Sequence, residues 1–237
     1  MTSPPSTERV RSFKVRRGRM SERKRDALDR IGPRFRLDVP SIAPFDLDAV
    51  FGRRAPVLLD VGFGTGGATL DWAERRPGWD VVAVDVHTAG VAHLLAGLEA
   101  RSLGNVRVAE TDVWDVLDRL PDASITGVRA LFPDPWPKRR HHARRLVQAT
   151  FVERIGAVLT DGGWFQLATD WVDYAAEVVS ALDAEPRFEV DPSAAPADAR
   201  PRPDDRTTTP YEQRGLDAGR TITEVIALRR PRESPPR

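Results

Sequence analysis

From Val57 onward the chain alternates short apolar runs with amphipathic stretches, at the lengths of strands and helices. Val57-Leu58-Leu59-Asp60-Val61 reads as a buried strand, Gly62 to Gly67 as a tight loop, and Ala68 to Arg76 as a helix ending near Pro77-Gly78. The pattern then predicts a strand over 81–84 with Asp85 at its carboxyl end, a helix over 88–101 and a strand over 106–109. A short helix over 113–120, a strand over 125–132, a helix over 144–159, a strand over 164–168 and a helix over 171–182 follow. A strand over 221–228 closes the series. Near-continuous apolar strands that alternate with helices predict an α/β fold, a parallel sheet covered on both faces.

The flanks lack this regularity. The first dozen residues carry no period and are expected to be disordered, and Ser21 is placed to cap a short polar helix that Pro33 stops. Residues 192–209, rich in Pro, Ala, Asp and Arg, read as a long loop, and 231–237 as a frayed tail. The expected organisation is therefore a basic, partly disordered extension over 1–36, one domain over 37–230, and a tail; 237 residues suffice for one core.

Composition removes several chemistries. There is no cysteine, hence no disulfide, thiolate nucleophile or cysteine zinc site, and the four histidines lack metal-ligand spacing, so no metal is expected. No apolar run is long enough to span a membrane, and the start lacks a secretory signal, which predicts a cytoplasmic protein. A monomer or a homodimer is expected. The net charge of +1 hides segregation. Residues 1–36 hold 12 Lys/Arg against 4 Asp/Glu, residues 37–137 hold 8 against 15, and residues 138–145 hold 5 against none. Two basic patches on an acidic body suit a polyanionic partner.

The candidate chemistry lies at successive strand ends. Gly62, Gly64, Gly66 and Gly67 follow the first strand and precede a helix, where a ligand can approach the backbone closely. Taken as Gly62, Gly64 and Gly67 they also match the dinucleotide fingerprint, so a nicotinamide-dependent oxidoreductase stays open at this point. Asp85 could accept from ribose hydroxyls in either case. Asp112 suits an adenine amino group, and Asp60 suits a cationic methyl donor better than a pyrophosphate, which it would repel. After the fourth strand, Phe132-Pro133-Asp134-Pro135-Trp136-Pro137 holds a carboxylate between two prolines, with Trp136 able to stack on a base or cap the core. The basic run Lys138 to Arg145 begins four residues later and could neutralise phosphates; continued into the next helix, it would set cations against the macrodipole preference. Thr169-Asp170-Trp171 and Thr209 to Arg214 add acids, hydroxyls and aromatics.

These motifs resemble, in order and over about residues 11–230, the bacterial tRNA (guanine-N7)-methyltransferases. The resemblance rests on Asp60-Val-Gly-Phe-Gly-Thr-Gly, Asp85-Val-His87, Phe132-Pro-Asp-Pro-Trp-Pro-Lys138 through Arg145, Thr169-Asp170-Trp171 and Thr209-Pro-Tyr-Glu212-Gln-Arg214. It implies a class I methyltransferase (Rossmann-like) fold with a mostly parallel seven-stranded sheet. It further implies S-adenosylmethionine as cofactor, and methyl transfer to N7 of a guanine in the variable loop of tRNA. By similarity, Asp60, Gly62, Gly64, Gly66, Asp85, Asp112 and Asp134 would bind the donor, and Asp134 would be catalytic. Lys138, Asp170, Thr209, Pro210, Tyr211 and Glu212 would bind substrate. For a guanine, Asp170 or Glu212 could accept from the N1–H and amino group, a pairing that would discriminate it from adenine. Arg140, His141, Arg144 and Arg145 would touch RNA. The family commonly has glutamate at Asp60 and often at Asp85, and lysine at Ala143 and Pro210. A methyltransferase acting on another RNA or a small molecule is the remaining alternative, beside a catalytically silent RNA-binding module.

Overall fold

The computed structural model describes residues 21–191 and 206–232. The disordered start, the long loop and the frayed tail read from the sequence lie largely outside those residues.

Seven strands form one sheet: β1 Val57–Val61, β2 Asp80–Val84, β3 Val106–Ala109, β4 Ile125–Leu131, β5 Leu159–Thr169, β6 Phe188–Val190 and β7 Thr223–Arg229. Their order is β3-β2-β1-β4-β5-β7-β6. The first five run parallel, while β7 is antiparallel to β5 and to β6. From β1 the chain moves outward through β2 to β3, then returns beside β1 with β4 and moves the other way. That reversal opens a crevice at the carboxyl ends of β1 and β4, the usual ligand position in such sheets.

The helices follow from caps and apolar faces. They are α1 Glu22–Asp26, α2 Gly32–Phe35, α3 Leu47–Phe51, α4 Gly67–Arg75, α5 Thr88–Ala100, α6 Val113–Leu117, α7 Ala149–Val158, α8 Val172–Asp183 and α9 Pro210–Asp217. Strand residues alternate between two apolar layers. Leu58, Val81 and Ala83 face a layer built with α4 and α5, while Leu59, Val61, Val82 and Val84 face one built with α6, α7 and α8. Burying each Leu or Val there contributes roughly 1.5–3 kcal/mol relative to exposure.

Three expectations change. Pro33 does not stop the N-terminal helix: a π turn over Ala27–Ile31 leads into α2, where Pro33 occupies the first turn, a place where its missing N–H costs nothing. Ala27, Ile31 and Phe35 then pack into the core, and Arg30 forks onto Glu99 of α5 at 2.6 and 2.8 Å. The basic extension is thus docked from Ala27 onward. Second, the basic run does not open a long helix. Arg139–Arg144 forms a 3-10 turn and α7 starts at Ala149, so its cations do not oppose a helix dipole. Third, a helix, α9, follows the long loop directly, and the short edge strand β6 and the short α3 add elements that the periodicity did not reveal. Among the described residues no helix is long and apolar enough to cross a membrane.

Candidate active site

The loop after β1 is shaped by its glycines. Gly62, Gly64 and Gly66 have φ of 69, 61 and 81°, the left-handed region that a side chain resists. Asp85, at the end of β2, fastens this loop: Gly64 N–H donates to Oδ2 at 2.8 Å, and His87 N–H donates to Oδ1 at 2.9 Å. His87 Nδ1 lies 3.1 Å from the same oxygen. Gly90 of α5 backs the loop so closely that an added Cβ would lie 2.1 Å from the Gly64 carbonyl oxygen. Asp112 follows β3 and caps α6, accepting from Trp114 N–H at 3.1 Å.

Asp60 is the most enclosed acid of the crevice, at 2% exposure. Its register partner across β1 and β4 is Arg129, which donates through Nε at 3.0 Å and Nη2 at 2.7 Å. Thr69 of α4 donates a third bond at 2.7 Å. The carboxylate expected to face a cationic donor is therefore neutralised by its own sheet. Arg129 escaped the sequence reading, although one signal existed: a lone arginine and a lone aspartate in neighbouring, otherwise apolar strands must pair if both are buried.

Asp134 contrasts with these acids. It is exposed, and no hydrogen bond or ion pair among the described residues engages it. The turn that carries it is strained on both sides: Phe132 and Trp136 have φ of 54 and 44°, and each precedes a proline. Such conformations cost of order 1–3 kcal/mol each and persist only when their surroundings over-determine them. Phe132 N–H donates to Ala168 O at 2.7 Å, and the Pro135 carbonyl accepts from Arg145 Nε at 2.8 Å. Trp136 is 5% exposed, edge-on to His141 with Arg144 4.9 Å over its ring, so it is buried against the basic run rather than offering an open stacking face.

The basic run divides. Lys138, Arg139 and Arg140 are exposed, Arg140 lying beside His141 at 3.3 Å. Arg145, expected among the RNA contacts, instead has a fully buried side chain and pairs with Asp173 at 2.6 Å and Glu177 at 2.7 Å. Burial works against its charge, yet its hydrogen bond to Asp173 and its pairing with Glu177 more than offset that and raise its pKa.

At the end of β5, Asp170 accepts from Arg220 Nε at 2.7 Å. Opposite it α9 begins with a capping box: Glu212 N–H donates to Thr209 Oγ1 at 3.1 Å, and Thr209 N–H donates to Glu212 Oε2 at 3.3 Å. Glu212, expected to accept from a guanine, is 3% exposed, and both its oxygens are held by Arg206 at 2.7 and 2.9 Å. In this arrangement the Glu212 carboxylate is buried and engaged within the protein. Arg206 also pairs with Glu224 of β7, whose carboxyl is pushed up by burial against the pull of that guanidinium, and its charge lies 5.8 Å over the Phe132 ring. Arg206 and Glu224 also escaped the sequence reading. Tyr211 reaches the glycine loop, 3.3 Å from where a Gly64 Cβ would stand. Thr209, Pro210 and Tyr211 thus form one wall of a cavity whose other walls include Asp60, Gly62, Phe63, Thr65 and Leu131. A left-handed backbone loop, anchored by an acid after β2 and faced by an aromatic ring, fits a nucleoside-bearing donor.

A family model for a putative methyltransferase matches residues 54–225. A tRNA (guanine-N(7)-)-methyltransferase of Alkalilimnicola ehrlichii is 44% identical over 223 residues, covering 93% of each chain. One from Thiobacillus denitrificans is 44% identical over 224 residues, covering 94% of this chain and 96% of its own. The chain belongs to the tRNA (guanine-N7)-methyltransferase family. Its members' methyl donor, S-adenosylmethionine, is the cofactor of this chain, and the oxidoreductase reading falls away. Two solved structures share the fold. The 16S rRNA methyltransferase KamB has a TM-score of 0.53 at 17% identity, covering 82% of this chain and 96% of its own. The precorrin-6y C5,15-methyltransferase from Geobacter metallireducens has a TM-score of 0.51 at 13% identity, covering 84% and 100%.

Proposed function

We propose that this methyltransferase modifies N7 of a guanine in the variable loop of cytoplasmic tRNA, with Asp134 as the residue on which the chemistry depends. The observation that carries the reading is the state of Asp134: exposed, without a hydrogen bond or ion pair among the described residues, and fixed on a strained turn at the β4 end of the crevice. S-adenosylmethionine supplies an electrophilic methyl group on a sulfonium centre. Guanine N7 has a lone pair and no hydrogen, so the chain needs no general base. The ring gains positive charge as the bond forms. An anion already in place and not neutralised by a neighbouring arginine stabilises that charge without reorganising.

The other residues divide the remaining work. The glycine loop and Asp85 hold the donor's nucleoside part through backbone and carboxylate, with Asp112 at the adenine end. Asp60, neutralised by Arg129, acts by fixing Thr69 and the start of α4 against the loop. Pro210 and Tyr211 close the cleft from the α9 side, with Thr209 and Glu212 shaping that wall. Asp170 sits beside α9 and Lys138 beside the turn, both placed to bound the base. Lys138, Arg139, Arg140 and Arg144 engage tRNA phosphates, and the basic N-terminal segment extends that field.

The test is product analysis. Unmodified bulk tRNA incubated with the protein and methyl-labelled donor, then digested to nucleosides, yields label in N7-methylguanosine. Label in another nucleoside, or none in tRNA while a small molecule is methylated, overturns the proposal.

A further inference from the structure

Residues 138–145 carry five cations, and one of them points inward. The Arg145 side chain has no exposed surface. Its Nε donates to the Pro135 carbonyl at 2.8 Å and its Nη2 to Asp173 at 2.6 Å, while Nη1 pairs with Glu177 at 2.7 Å. The guanidinium carbon lies 4.8 Å from the centre of the Tyr174 ring. Asp173, Tyr174 and Glu177 all belong to α8, whereas Pro135 belongs to the turn next to Asp134. The planar fork of arginine therefore rivets the turn to a helix that is itself anchored in the core, since Tyr174 is fully buried and its hydroxyl accepts from Val147 N–H at 3.1 Å.

A turn with two non-glycine residues in the left-handed region needs such outside support. Phe132 is held by the backbone of β5, through Ala168. Pro135 has no N–H of its own to give, so its carbonyl is the handle that remains, and Arg145 takes it. To reach a phosphate instead, this guanidinium would have to abandon two carboxylates, a carbonyl and a ring face. Breaking a buried pair in that way is strongly unfavourable.

We propose that Arg145 is a positioning residue for methyl transfer. It holds Asp134 in place through the Pro135 carbonyl and makes none of the tRNA contact made by its exposed neighbours. This rests on the reading of Asp134 given above.

Arg145→Lys keeps the charge but loses the fork, and Arg145→Gln loses both; Arg140→Gln serves as the surface control. With saturating donor and tRNA, both Arg145 variants are expected to turn over on the order of 100-fold more slowly, the cost of a small misplacement. Their tRNA affinity stays within about twofold and the salt dependence is unchanged, whereas Arg140→Gln lowers affinity and reduces the salt slope by about one. Hydrogen exchange over the 130–137 segment should rise in the Arg145 variants and stay unchanged in Arg140→Gln, a readout independent of turnover. If wild-type protein makes no N7-methylguanosine, the underlying reading fails while the exchange result still judges Arg145. Should the Arg145 variants not fold, Asp173→Asn with Glu177→Gln removes the fork's exposed partners, and turnover at saturating tRNA should fall severalfold. Arg145→Lys turning over at the wild-type rate, unchanged exchange in the turn, or full turnover in the Asp173/Glu177 variant would overturn the proposal.

Discussion

The two sides of the sheet's switch point treat their carboxylates in opposite ways. On the β1–β2 side, Asp60 and Asp85 are buried and already bonded, the first to Arg129 and Thr69, the second to the Gly64 and His87 amides. On the β4 side, Asp134 is exposed and is engaged by no hydrogen bond or ion pair among the described residues. The first arrangement builds a rigid cradle in which Asp60 is neutralised by Arg129 and Asp85 fastens the loop, and the second keeps charge available on a backbone that must be held from outside. Both sides meet the same need, since a group-transfer site requires fixed geometry for the donor and an unspent anion where positive charge develops.

The contrast predicts different failures on the two sides. The largest effect is on stability. Arg129→Met leaves Asp60 buried without its partner and is expected to cost about 3–5 kcal/mol, measured as a lowered unfolding midpoint in denaturant. An unchanged midpoint would mean that the cradle is not held by its ion pair. Next in size is Gly90→Ala, whose added methyl meets the Gly64 carbonyl and must displace the donor loop. Overpacking of about 1–3 kcal/mol translates to roughly tenfold weaker donor binding, and calorimetric titration with donor showing wild-type affinity would contradict this role for the backing helix.

The cradle was legible in the sequence because buried parallel strands announce themselves as apolar runs, and their ends carry the glycines and Asp85. The partners of its acids were less so. Arg129 lies in the middle of a strand whose apolar character dominated the reading, and its pairing depends on register across two strands separated by 69 residues. Helix α9 was readable in principle, since Thr209-Pro210-Tyr211-Glu212 is both a capping box and a proline at the first helical position. Taken as a substrate motif alone, they hide a helix start in which the Glu212 side chain closes the cap and pairs with Arg206. Arg145 could not be told from its neighbours in a uniformly basic run. The Pro135 carbonyl, the distant α8 carboxylates and Tyr174 turn it inward.

A smaller effect tests how the α9 wall is tied to the cradle. Thr207 donates to Asp71 of α4 at 2.6 Å, and Arg101 donates to the same carboxylate at 2.6 Å. Burial alone would raise the Asp71 pKa, but these bonds outweigh it and hold it below the usual carboxylate range. The stabilisation is therefore fully present above the unfolded value near 4 and is lost as pH falls through the lower folded value. Asp71→Asn should flatten the acid limb of the stability profile below about pH 4 by no more than about 1 kcal/mol. An unchanged limb in thermal unfolding scans across pH would remove Asp71 from that tie.

The division between spent and unspent carboxylates is tested most directly by Asp134→Asn, followed in two readouts on the same preparation. Methyl transfer to tRNA at saturating donor should fall by about 100-fold to 1,000-fold, the scale seen when one preorganised electrostatic group is removed. The unfolding midpoint should stay at the wild-type value, because no hydrogen bond or ion pair among the described residues engages Asp134. Near-normal turnover, or a loss of turnover explained by a lowered midpoint, would contradict the account.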